Sequence, residues 1–125
     1  MIFDTDILIW IQKGNEKAAA LIDKSADRFL SILTYMELLQ AAENKKQHRV
    51  VKNFLKDYGF LILPLTENIG HRASVYIEEY SLSSGLRAGD AIIAATATEN
   101  SMILATGNGK HFKHIKDLTL KIFHP

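Results

Sequence analysis

Short apolar runs rich in β-branched and aromatic residues alternate along the chain with longer segments whose apolar positions recur at helical spacing. Ile2-Phe3 reads as a first strand, and a short helix over 5–11 follows it. Residues 15–24 place Ala18, Ala19, Leu21 and Ile22 on one side of a helix. Phe29 to Ile32 reads as a second strand, with helices predicted over 34–44 and 47–58. Phe60 to Leu63 is a third strand, closed by Pro64. Thr66 can cap a helix over 67–80, whose buried stripe is Ile69, Ala73, Tyr76, Ile77 and Tyr80. Ser81 to Gly89, with its serines and glycines, reads as a loop. An alanine-rich helix runs from Asp90 to about Asn100, and strands are predicted over 102–105 and 119–123.

Strands separated by helices predict an α/β sandwich with a mostly parallel five-stranded sheet. At 125 residues the chain fits one domain over 1–125. In such sheets ligands bind beyond the carboxyl ends of the strands. That rule directs attention to Asp4-Thr5-Asp6 after strand 1, Thr34 and Glu37 after strand 2, and Thr106-Gly107-Asn108 after strand 4. Asp90 opens the helix that leads into strand 4.

Composition narrows the chemistry. The chain has no cysteine, which excludes a disulfide scaffold, a thiolate zinc site, an iron–sulfur cluster and a cysteine nucleophile. The first residues carry no basic stretch or cleavage site, and no apolar run approaches the ~20 residues of a membrane span, so a cytoplasmic protein is expected. The net charge of +1 predicts no global field toward nucleic acid.

Each acidic position has a structural explanation of its own. Thr34 to Glu37 has capping-box spacing, Gly89-Asp90 reads as an ordinary N-cap, and Asn108-Gly109 as a turn. Thr5 or Asp6 can cap the first helix, and Asp6 is read as capping or solvated. Their conjunction at one sheet edge is what these explanations leave out. Carboxylates gathered there repel one another by several kcal/mol unless a cation neutralises them. Mg²⁺ and Mn²⁺ take such oxygen ligands, and the chemistry they support is metal-dependent phosphodiester hydrolysis.

The same residues resemble a known family. Ile2 to Ile9, Ser31 to Leu39, Leu86 to Ala97, and Ile103 to Asn108 with Phe112 are similar, in order and spacing, to the four signature blocks of PIN-domain ribonucleases. The VapC-type toxins of bacterial toxin–antitoxin pairs are the nearest in pattern. The resemblance implies a three-layer α/β/α fold and Mg²⁺- or Mn²⁺-dependent endonuclease activity on RNA. It also implies a homodimer and a small cognate antitoxin as partner. Asp4, Glu37 and Asp90 match the family's first three acids. Asp4 and Asp90 are then expected as direct metal ligands, with Glu37 holding a second metal or orienting water. Thr5 and Thr106 match hydroxyl positions that support the acids. Asn108 departs from the aspartate many members carry. Its amide oxygen can still ligate magnesium, but it adds no charge; Asp6 can partly compensate, although its position reads as capping or solvated.

Local charge departs from the near-neutral sum. Lys45, Lys46, Arg49, Lys52 and Lys56 cluster in one segment, and Lys110, Lys113, Lys116 and Lys121 follow Asn108. The second run is the better placed for RNA phosphates. Two other readings compete. A HAD-type phosphatase shares the Asp-x-Asp strand ending, but Ala94 and Ala95 stand where its later acid is sought. A catalytically weakened, partner-binding PIN-like domain is permitted by Asn108 and by the apolar Tyr35, Met36, Leu38 and Leu39 around Glu37.

Overall fold

The computed structural model describes residues 1–125. The elements are β1 (Ile2–Phe3), α1 (Thr5–Gln12), α2 (Glu16–Asp23), β2 (Phe29–Ser31), α3 (Ile32–Ala41), α4 (Lys45–Asp57), β3 (Leu61–Leu63), α5 (Glu67–Ser84), α6 (Ala88–Glu99), β4 (Leu104–Thr106), α7 (Gly109–Phe112) and β5 (Leu120–Ile122). The sheet order is β3-β2-β1-β4-β5, and every pair is parallel. All strands therefore end at one edge, and β1 is the central strand.

Successive residues of a strand point to opposite faces, and the core divides accordingly. Ile2 and Leu104 join one apolar cluster with Ile69, Tyr76, Ile93 and Phe112 of α5–α7. Phe3, Leu30 and Ala105 join a second with Ile7, Ile22, Leu38 and Leu55 of α1–α4. Two helical layers thus sandwich the sheet, giving the expected α/β/α order. Ala94 and Ala95 are wholly buried in the first cluster, so their positions serve packing.

Element boundaries depart from the sequence reading where a side chain competes for a helix end. Ser31 closes β2 and caps α3 by accepting the Thr34 N–H at 3.0 Å, so the helix starts at Ile32 and the expected Thr34–Glu37 capping box does not form. Glu37 lies instead in the second turn. Helix α6 starts at Ala88, with Arg87 in the capping position. Asp90, three residues on, accepts the Arg87 N–H at 3.2 Å, so Asp90 is the reciprocal acid of the cap and not the cap itself. The predicted loop after 80 is helical to Ser84, whose Oγ donates to the Tyr80 carbonyl at 2.8 Å. Gly85 then ends α5 at φ +71°. Residues 109–112, read as part of a turn, form α7. Strand 4 lies one or two residues later than expected, which makes Thr106 its last residue.

Candidate active site

Register explains how the site assembles. Ile2 stands opposite Leu104 and Phe3 opposite Ala105, and the Asp4 N–H donates to the Ala105 carbonyl at 2.9 Å. Asp4 thus leaves β1 beside Thr106 leaving β4. Asp4 caps α1: Oδ1 accepts the Thr5 N–H at 2.8 Å, and Oδ2 accepts the Thr106 hydroxyl at 2.7 Å. Thr106 Oγ1 in turn accepts the Asn108 N–H at 3.0 Å. One buried threonine therefore fixes both the first acid and the start of α7.

Asp4, Thr5, Asp6, Glu37, Arg87, Asp90 and Asn108 line a single cleft of about 370 Å³, with Ile9, Gly89 and Ile93 completing its walls. Glu37 reaches it from α3, where Oε1 accepts the Thr5 hydroxyl at 2.7 Å. Thr5 Oγ1 also lies 3.0 Å from Thr34 Oγ1. Asp90 enters from α6, with His111 Nδ1 of α7 at 3.4 Å from its Oδ2. The four sequence-predicted residues, Asp4, Glu37, Asp90 and Asn108, meet here. Thr5 lines the cleft, while Thr106 lies fully buried beneath it.

Asp6 also belongs to the cleft. Its Oδ2 accepts the Gly107 N–H at 2.9 Å, and its Oδ1 is buried with no hydrogen-bond partner. A Cβ on Gly107 would stand 2.6 Å from Asp6 Oδ2, so only glycine leaves room for this carboxylate. The Asp4-x-Asp6 spacing carried the signal. Its capping explanation failed because the partner amide, Gly107, lies 101 residues away on a neighbouring strand's exit. Arg87 and His111 are two further site residues that sequence reasoning did not single out for this role.

The electrostatics are those of crowded acids. Burial, then the nearby Asp6 charge, pushes the Asp4 carboxyl up to about 7, with Asp90 adding to the effect and the Thr106 and Thr5 hydrogen bonds opposing it. Burial also raises Asp6, against the pull of the Gly107 N–H. These residues fit a hard divalent cation by donor type: every carboxylate and amide oxygen is a hard ligand, and Asp6 Oδ1 is an orphaned acceptor. Each Asp4 oxygen, with one hydrogen bond, retains a lone pair. No three Asp, Glu or His side chains converge on one point, so the fit rests on donor chemistry and on that orphaned oxygen.

A family model described as PIN domain matches residues 1–118. No curated protein matches the chain. Among solved structures, a toxin–antitoxin complex from Klebsiella pneumoniae is similar at TM-score 0.81 and 29% identity, covering 94% of this chain and 94% of that one. VapBC-1 from nontypeable Haemophilus influenzae is similar at TM-score 0.77 and 25% identity, covering 98% of each chain. VapBC2 from Rickettsia felis, bound to a promoter DNA fragment, shares the fold at TM-score 0.79 and 23% identity, covering 99% of this chain and 100% of that one.

Proposed function

The chain belongs to the PIN domain family, and on that premise we propose that it is a Mg²⁺- or Mn²⁺-dependent endoribonuclease acting as the toxin of a toxin–antitoxin pair. The observation that carries this reading is the convergence of Asp4, Asp6, Glu37 and Asp90 on one cleft beyond the carboxyl edge of the sheet. A divalent cation bound there supplies Lewis acidity toward water and toward phosphate oxygens. Asp4 and Asp90 would hold it, with Asp6 Oδ1 and the Asn108 amide oxygen as further donors. Thr106 and Thr5 hold Asp4 in place at the cleft wall. Glu37, fixed through Thr5, accepts a proton from the attacking water. Arg87 supplies positive charge to the phosphate as negative charge develops on it.

The partner proposals follow from the relatives. A K. pneumoniae toxin–antitoxin complex 29% identical to this chain supports a small antitoxin as partner. A groove of about 490 Å³ between α1, α3 and α4, lined by Ile11, Leu38, Val50 and Phe54, offers that antitoxin an apolar seat. We also propose a homodimer. No helix is long and apolar enough to cross a membrane, which accords with the proposed cytoplasmic location.

The test is cleavage of single-stranded RNA by purified protein. Activity is expected with Mg²⁺ or Mn²⁺, lost on chelation and restored by adding the metal back. Cleavage that persists in chelator contradicts the metal requirement. A folded protein that binds the antitoxin but cleaves nothing in either metal favours the binding-module reading that Asn108 permits.

A further inference from the structure

The carboxylate cleft repels the substrate assigned to it. An RNA strand carries a negative charge at every nucleotide, and four acids face it. Arg87 and a bound cation offset this only at the reacting phosphate, so attraction for the rest of the strand must come from outside the cleft, and the surface beside β5 provides it. A groove of about 500 Å³ runs between α2 and β5, lined by Lys17, Lys24, Lys121 and His124 with Leu21 and Phe123, and no carboxylate lines it. The three lysines are exposed. Lys17 lies in the first turn of α2, and Lys24 caps its carboxyl end seven residues on. That is two helical turns, or about 10 Å, with both on the face that carries Leu21. Lys121 answers them from β5, the last strand of the sheet.

Gly107 touches a lining residue of each: Asp6 of the cleft and Phe123 of the groove. The Phe123 N–H donates to the Thr106 carbonyl at 2.8 Å. The Phe123 carbonyl oxygen lies 3.5 Å from where a Cβ on Gly107 would stand, and the Gly107 N–H holds Asp6. Gly107 therefore links a wall residue of the cleft, Asp6, to one of the lysine-lined groove, Phe123. Neither basic run noted in the sequence, taken whole, has such an arrangement: the groove beside α4 is lined by apolar residues and glutamines, with no lysine, and Lys116 lines a groove shared with Glu79, Glu99 and Asp117.

Resting on the nuclease reading above, we propose that the α2–β5 groove is the track that grips the phosphate backbone of the RNA strand threaded through the carboxylate cleft. Lys17, Lys24 and Lys121 are its phosphate contacts, and the apolar Leu21 and Phe123 form its floor. The near-neutral net charge therefore conceals an acidic reaction site and a basic groove.

The test measures binding apart from chemistry. Affinity for a fluorescein-labelled single-stranded RNA a dozen nucleotides long is titrated by anisotropy across a salt series, in chelator. Each lost phosphate contact lowers the slope of log K against log salt by about 0.7. The triple variant Lys17→Gln, Lys24→Gln, Lys121→Gln should therefore lose about 2 from the slope and bind roughly 100-fold more weakly at 0.1 M salt. The matching triple to Arg should restore the wild-type slope. Lys45→Gln, Lys46→Gln, Lys52→Gln on α4 should leave it unchanged. Thermal melting confirms that each variant is folded. A wild-type slope in the α2–β5 triple, or loss in the α4 triple instead, overturns the proposal. Cleavage by the unaltered protein is read alongside. Cleavage with an unmoved slope overturns the groove alone, whereas the expected slope loss without cleavage overturns the nuclease reading and supports the groove as a polyanion site.

Discussion

Replacing Asp4 by asparagine should stabilise the metal-free protein while abolishing its activity. Asp4 is 6% exposed, and its carboxyl is raised from 3.8 to about 7 by burial and by the charges of Asp6 and Asp90. A carboxyl whose folded-state pKa is raised binds protons more tightly folded than unfolded, so stability falls as pH rises from about 4 to 7 and stays low above that. About three pKa units correspond to roughly 4 kcal/mol. The substituted amide would carry no charge. Its oxygen can keep the Thr5 N–H, but its NH₂ would face Thr106 Oγ1, which now donates to the carboxylate at 2.7 Å and must turn to accept. That re-pairing costs about 1 kcal/mol. The net gain at pH 8 in chelator is about 3 kcal/mol, a rise in melting temperature on the order of 10 °C for a domain of this size. At pH 4.5 the gain should nearly vanish, since the wild-type carboxyl is then largely protonated. Adding Mg²⁺ at 100 times its Kd should stabilise the wild type at pH 8 by about 2.7 kcal/mol and close most of the gap. Differential scanning calorimetry at the two pH values, with and without metal, reads all four states. A variant that melts below the wild type at pH 8 in chelator refutes the reasoning, as does an advantage that is the same at pH 4.5.

Three further substitutions probe the supports of the cleft. Gly107→Ala puts a methyl 2.6 Å from Asp6 Oδ2 and should displace that carboxylate from its amide; Mn²⁺ affinity by calorimetric titration should fall about tenfold, and an unchanged titration removes Asp6 from the metal shell. Asn108→Asp adds a charge to the cleft and should raise apparent metal affinity, whereas an unmoved titration removes residue 108 from coordination. Thr5→Val deprives Glu37 Oε1 of its 2.7 Å donor; the cleavage rate should drop roughly tenfold with about 1 kcal/mol lost in stability, and an unaltered rate shows that Glu37 needs no such anchoring.

The elements and their order were legible because each apolar run is short and bounded by polar residues, so period and length agree even where an edge strand such as β3 is largely exposed. The acids at the strand exits were legible for the same reason: a parallel sheet sends all its carboxyl ends to one edge. What escaped were choices between nearby competitors. Ser31 and Thr34 both have capping chemistry, and Ser31 prevailed because β2 ends on it and α3 begins without a loop. The serines after Tyr80 look like loop residues, yet α5 runs through them until Gly85 ends it at positive φ. Asp6 was legible only as a compensating acid for Asn108, and its anchoring escaped for a different reason. Its partner Gly107 is adjacent only because β1 pairs with β4, and no local pattern encodes strand order. Arg87 and His111 were likewise hidden, since their roles depend on α6 and α7 presenting their starts to the same cleft. The groove lysines Lys17 and Lys24 are spaced two turns apart, but only β5 beside them makes that spacing meaningful.

The central claim is that the Asp4–Asp90 cleft is where RNA is cut. Single-turnover cleavage of one RNA by wild type, Asp4→Asn and Asp90→Asn, purified in parallel in Mn²⁺, tests it most directly. Each variant, folded, should lose about 10²- to 10³-fold in rate, the scale of removing a principal electrostatic stabiliser. A wild-type rate in either folded variant would place the chemistry elsewhere.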